Sequence, residues 1–194
     1  MDNLLPISEL DDAELVRLSL ADPDRFSYII SRYQEKLARY IRRLGAIGTE
    51  DVEDILQEVF LKVYLNLNDF NPDLKFSSWI YRIAHNQVIS HFRKRQARPE
   101  AHSLPIDSEG LQLLADDMAL DRQSDVHLRQ EVILAALQQI DSRYREILIL
   151  KFFEDKSYQE ISDILKKPAG TVASLLNRAK KSLKEALPAN WENI

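Results

Sequence analysis

Three stretches of this chain carry side chains whose types and spacing suit recognition of another macromolecule. Residues 157–181 read Ser-Tyr-Gln-Glu-Ile-Ser-Asp-Ile-Leu, then Lys-Lys-Pro-Ala-Gly, then Thr-Val-Ala-Ser-Leu-Leu-Asn-Arg-Ala-Lys-Lys. Ser157 and Glu160 have capping-box spacing, and Ile161, Ile164 and Leu165 make an apolar stripe. Pro168 with Gly170 is expected to break that helix before the next begins. This is a helix-turn-helix pattern whose second helix is amphipathic and basic towards its end. Such a helix can lie in the major groove while the first crosses the phosphate backbone, which makes nucleic acid the leading partner class. An ordinary helical hairpin is the plainer reading of the same pattern.

The second stretch is acidic. Thr49 can cap a helix, and Glu50, Asp51 and Glu53 in its first turn complement the dipole. Asp54, Gln57 and Glu58 lie at i, i+3 and i+4, on one polar face opposite an apolar stripe, as a docking patch for a basic partner requires. No His or further acid stands at ligand spacing, so no metal is expected there. The third stretch, Asp69 to Asn86, interleaves aromatics, amides and cations. Bases taken out of a stack need aromatic faces and amide groups, and Lys and Arg hold the backbone, so the mixture suits single-stranded or flipped DNA. Phe70 and Phe76, in a Pro-containing loop, favour binding. Trp79 is balanced between binding and core packing, since Trp79, Ile80 and Ile83 have core spacing. His85 and His91 are expected on a solvated or DNA-facing surface. There is no Gly-rich phosphate loop, nucleophile elbow or metal-spaced His pair, so no catalytic residue, metal or cofactor is expected.

The elements that must position these residues are helical. With 194 residues, 45% apolar content, four Gly and no Cys, the chain favours an all-α fold without disulfides or thiolate zinc sites. Apolar residues recur at helical spacing at Phe26, Ile29, Ile30, Tyr33, Leu37, Tyr40, Ile41 and Leu44, and again at Val52, Ile55, Leu56, Val59, Phe60, Val63 and Leu67. The pattern predicts helices at about Glu9 to Leu20, Pro23 to Leu44, Thr49 to Leu67 and Ser77 to Arg95. Four more follow near Val126 to Gln139, Ser142 to Phe153, Tyr158 to Lys166 and Thr171 to Leu187. The net charge of −5 hides an uneven distribution. Leu74 to Pro99 and Ile164 to Lys184 contain basic residues and no acid, and an acidic stretch from Glu100 to Asp125 separates them. That shift marks a flexible linker at 98–125 between small helical domains at 1–97 and 126–194. No apolar run approaches the roughly 20 residues that span a bilayer, and the N-terminus lacks the basic start of a signal peptide, so a cytoplasmic location is expected.

In order and separation, Asp54-Ile55-Leu56-Gln57-Glu58-Val59-Phe60, Phe76-Ser77-Ser78-Trp79-Ile80-Tyr81-Arg82-Ile83-Ala84-His85-Asn86, a linker and a closing helix-turn-helix resemble the extracytoplasmic-function (group IV) sigma factors of bacterial RNA polymerase. The resemblance covers about residues 20 to 187. It implies a sigma region 2 bundle and a sigma region 4 domain that bind core RNA polymerase, recognise the minus-ten and minus-thirty-five promoter elements and help to open the DNA. It assigns Asp54, Gln57 and Glu58 to the polymerase clamp helices. Phe70, Asn71, Lys75 and Phe76 fall in the family's base-capturing loop, Asn86 matches its base-reading amide, and Trp79 supports the pocket. Arg82, Arg93 and Lys94 would hold phosphates. Lys151, Ser157 and Tyr158 fall where family members touch the minus-thirty-five backbone, and Thr171, Ser174, Asn177, Arg178 and Lys181 would line the groove. The linker is similar to the family's connector towards the polymerase active site, and an anti-sigma factor is an implied partner. Many members carry basic residues where this chain has Ala173 and Leu175. A free-standing helix-turn-helix regulator with an N-terminal sensing or dimerisation domain is the alternative, but it needs neither the acid patch nor the aromatic and basic loop.

Overall fold

The computed structural model describes residues 9–45, 48–96, 124–189 and 191, so most of the expected linker lies outside the described residues. The chain enters α1 (Asp12–Ala21) through a capping box in which the Glu14 N–H donates to Asp11 at 2.8 Å and the Asp11 N–H donates to Glu14 at 2.9 Å. A 3-10 turn (Pro23–Arg25) leads into α2 (Phe26–Gly45), followed by α3 (Thr49–Leu65), a second 3-10 turn (Leu67–Asp69) and α4 (Phe76–Gln96). Thr49 does not cap α3. It is the first helical residue, the cap is Gly48, and no side chain accepts a hydrogen bond from the first turn.

The apolar stripes close these helices around one core. Ile29, Leu37, Tyr40 and Ile41 of α2, Val59 and Val63 of α3, and Ile80, Ala84 and Val88 of α4 are inaccessible to solvent. Each large aliphatic side chain buried this way contributes about 1.5–3 kcal/mol.

The second helical region comprises α5 (Ser124–Gln139), α6 (Ser142–Leu148), a single π-helical turn (Ile149–Phe153), α7 (Tyr158–Leu165) and α8 (Ala169–Ala186). The apolar run from Ile147 to Leu150 is fully buried, and α6 packs on α8. Arg145 ties α5 to α6. It donates to the carbonyls of Leu137 at 2.9 Å, Gln138 at 3.0 Å and Ile140 at 3.4 Å, which satisfies acceptors that a helix end leaves without partners.

The two regions pack on each other, α7 against α4 and the π turn against α2, and their apolar residues form one continuous cluster from Leu10 to Ala179. Buried polar pairs cross the contact. The Glu154 carboxylate accepts from Arg43 at 2.9 Å and from the Tyr81 hydroxyl at 2.7 Å. His85 Nε2 lies 2.9 Å from Glu146, with both side chains nearly covered, so His85 belongs to this contact and not to the solvated or DNA-facing surface expected of it. His91, half-buried, approaches Asp51 at 3.4 Å. Among the described residues, no helix is long and apolar enough to cross a membrane.

Candidate nucleic-acid interface

Asp54, Gln57 and Glu58 are all exposed on α3, while Val52, Ile55 and Val59 of the same helix are buried. The helix therefore presents the acids outward as a group, with Gln87 of α4 donating to Glu58 at 3.4 Å. Further along α3, Leu61, Tyr64 and Leu65 continue the exposed face as apolar surface.

The aromatic and basic stretch divides in two. Phe76 and Trp79 are buried, 3% and 8% exposed, with Phe76 edge-on to Tyr33 at 5.6 Å and to Phe70 at 5.3 Å. Phe70 is half-buried and tilted against Trp79 at 5.3 Å. Phe76 is thus not a loop residue but the first residue of α4, locked into a ring cluster that leaves it no face for a base. The cluster anchors the loop, and Asn71 shapes it by accepting from the Asp73 N–H at 2.9 Å. The other half faces outward. Arg82, half-buried, and Asn86, Arg93 and Lys94, exposed, run along α4, with Arg82, Asn86 and Arg93 spaced on one side. Lys75 is 70% exposed and pairs with Glu160 of α7 at 3.3 Å.

The helix-turn-helix keeps the capping box read from the sequence, with the Glu160 N–H donating to the Ser157 hydroxyl at 3.2 Å and the Ser157 N–H donating to Glu160 at 2.9 Å. Its turn comes earlier than expected. Lys166 adopts the left-handed conformation (φ 53°) and ends α7, Ser162 donates to the Lys167 carbonyl at 2.6 Å, and Pro168 caps α8. Gly170 does not break the helix; it lies inside the first turn of α8, where an added Cβ would meet nothing within 4 Å. Thr171, Ser174, Asn177, Arg178 and Lys181 are all exposed, and Val172, Leu176 and Ala179 hold the opposite side of α8 in the core. Leu175 is half-buried and packs against the core, a physical reason for an apolar residue at that position. Lys151 is partly used within the fold: its ammonium donates to the Lys156 carbonyl at 3.2 Å and lies 5.8 Å from the ring centre of the exposed Tyr158.

A family model of sigma-70 region 2 matches residues 29–98, and one of sigma-70 region 4 matches residues 130–183. Over 172 residues the chain is 33% identical to the ECF RNA polymerase sigma factor SigW of Bacillus subtilis (strain 168), covering 86% of this chain and 90% of that protein. The chain belongs to the extracytoplasmic-function sigma factors. It is also 30% identical over 188 residues to the RNA polymerase sigma-H factor of Pseudomonas aeruginosa, covering 93% of this sigma factor and 96% of that one. The fold is shared with two solved structures. CnrH, in complex with the cytosolic domain of CnrY, aligns with a TM-score of 0.64 at 22% identity, covering 88% of this chain and 93% of that one. RpoE of Bartonella quintana, in complex with the anti-sigma factor NepR, aligns with a TM-score of 0.60 at 21% identity, covering 83% and 95%. The region 2 match occupies the segment where a sensing domain would have to lie, so a free-standing regulator is set aside.

Sequence reasoning missed the residues that join the two regions of this sigma factor. Arg43, Tyr81, His85, Glu146 and Glu154 meet in pairs separated by 61 to 111 positions. No local period links such partners. The one available signal is an acid at each end of the run Ile147 to Phe153, which is apolar except for Lys151. Burial, and then the charge and hydrogen bond of Glu154, hold the Tyr81 hydroxyl far above the usual tyrosine range, so it stays protonated and donates to Glu154.

Proposed function

We propose that this sigma factor docks on core RNA polymerase through Asp54, Gln57 and Glu58, with α4 addressing the minus-ten element and α8 the minus-thirty-five element. The observation that carries the reading is the way α3 and α8 sort their residues: carboxylates or groove-compatible polar groups outward, aliphatics inward. Asn86 would read a base while Arg82, Arg93 and Lys94 hold phosphates. Phe70, Phe76 and Trp79 support that surface from beneath. Ser157 and Tyr158 would contact the backbone of the upstream element. Working boundaries are 1–97 for the region 2 unit, 98–125 for the connector and 126–194 for the region 4 unit. The chain does no covalent chemistry of its own, acts in the cytoplasm, and is held in check by an anti-sigma partner, as the fold shared with the partner-bound CnrH and RpoE supports.

Promoter engagement requires the two regions to separate. Elements some 25 bp apart lie roughly 80 Å apart at about 34 Å per turn, whereas a compact chain of 194 residues has a radius of gyration of about 16 Å. With α7 seated on α4, both elements cannot be reached at once. The test is size-exclusion co-elution of the chain with bacterial core polymerase, beside an Asp54→Ala, Glu58→Ala version. Co-elution abolished by the double change is expected. Co-elution that survives it would remove the docking assignment.

A further inference from the structure

We propose that the seam between the two regions binds a small multivalent oxyanion of the diphosphate class, which bridges them and holds the sigma factor closed. A cavity of about 420 Å³ opens at the seam, within the range of small-ligand sites. Its charged and hydroxyl lining comes from four places in the sequence: Asp12 of α1, Arg32 and Lys36 of α2, Ser77 of α4, and Lys156 just before α7. Leu10, Tyr33 and Tyr81 complete the lining.

The charges are unbalanced in a way that invites an anion. The acid of the cavity, Asp12, is committed, accepting from the Tyr33 hydroxyl at 2.6 Å and from Arg32 at 3.2 Å. Lys36 and Lys156 have no carboxylate within ion-pair distance among the described residues. Their ammonium groups rest over aromatic rings, Lys36 at 5.8 Å from the centre of Tyr33 and Lys156 at 4.2 Å from the centre of Tyr81. Two ammonium groups share one cavity whose lining carboxylate, Asp12, is already taken up by Tyr33 and Arg32, an arrangement that a doubly charged anion completes. Burial, the largest influence, draws the Lys156 ammonium below the usual lysine range; Glu160 and Glu154 draw it back, Lys36 pushes it down again, and Asp12 draws it back least. Ser77 adds a hydroxyl donor in the first turn of α4, at the positive end of that helix dipole.

The consequence is regulatory. Lys156 belongs to the second region, and the other cavity cations belong to the first, so an anion held by both joins what promoter binding must separate. Anything that binds the closed form alone stabilises it by mass action.

The experiment uses the full chain and sodium pyrophosphate at constant ionic strength, read by thermal unfolding and by calorimetric titration, with chloride as the reference. A saturable rise in melting temperature is expected. Affinity should fall at least tenfold in Lys36→Gln, whose exposed side chain leaves folding intact, and further in Lys36→Gln, Lys156→Gln. Lys180→Gln, Lys184→Gln should bind as the parent does. The absence of a saturable shift overturns the proposal, as does equal binding by parent and Lys36→Gln. ADP tested in parallel identifies the source of the diphosphate: tighter binding than pyrophosphate assigns it to a nucleotide, and weaker binding to the free anion, both supporting the site.

Discussion

Replacing Glu154 with Ala should release the two regions of this sigma factor from each other. The Glu154 side chain is 6% exposed and that of Arg43 is 10%, and they meet at 2.9 Å. The same carboxylate accepts from Tyr81 at 2.7 Å. Its removal strands a nearly dry guanidinium and a buried phenol at once. Removing one member of a buried ion pair costs about 3–5 kcal/mol. At about 1.36 kcal/mol per tenfold, that is a roughly 150- to 5,000-fold shift from closed to open. The cost falls on the contact and not on either region alone, because Glu154 lies between the π turn and α7, outside the helices that build each core. Small-angle scattering should therefore show a larger, more extended particle, while circular dichroism retains the helical signal. The change Arg43→Met, Tyr81→Phe, Glu154→Leu should restore most of the closed form, since apolar groups of similar volume can replace a buried ion pair at little cost once no phenol is left without its acceptor. Scattering curves indistinguishable between parent and Glu154→Ala, with the whole chain melting earlier, would refute the reasoning and assign Glu154 to a single indivisible core.

Other expectations follow from the placement of the residues proposed for recognition. Phe76→Ala should destabilise the first region by about 3–5 kcal/mol in urea unfolding, because it empties a buried ring cluster. Asn86→Ala should stay within about 0.5 kcal/mol of the parent while impairing promoter opening, read by permanganate reactivity, more than polymerase binding. Asn177→Ala should change the sequences selected from a randomised minus-thirty-five library; an unchanged selection would count against that residue as a reader. Lys181→Ala should lower the slope of log affinity against log salt by about one. The Asp141 carboxyl is held at about 2, below its ordinary 3.8, chiefly by the Arg143 side chain and then by the Arg143 backbone N–H. A depressed carboxyl stabilises the fold above about pH 4 and loses that contribution as pH falls through 2. Asp141→Asn should accordingly flatten acid unfolding between pH 4 and 2, by a small amount because the side chain is 42% exposed.

What the sequence made legible was local. Ser157 and Glu160 lie three residues apart, so their reciprocal caps could be read directly. The stripe of α2 and the outward acids of α3 followed from helical periodicity. Where the reading slipped, a non-local or finely balanced term decided. Phe76 reads as a loop residue because Pro72 precedes it, but Tyr33, far away in sequence, supplies the ring surface that draws it into the core. Pro168 and Gly170 look like a helix break, yet the chain stops α7 at Lys166 by adopting a left-handed backbone, held by the turn bonds of Ser162. His85 reads as a surface residue because its partner, Glu146, is 61 positions away.

Gly170 heads the exposed side of α8 that continues through Ser174, Asn177 and Lys181 at helical steps of four, three and four. It is the one position of that series that carries no side chain. Glycine in a helix costs up to about 1 kcal/mol relative to alanine, and the space beside it is open. A residue gained there would add a side chain at the head of this exposed row, the proposed reading surface, while strengthening the helix that presents it. Duplicate copies of such a gene could therefore diverge in the promoters they serve by a single codon, with selection on stability favouring the change.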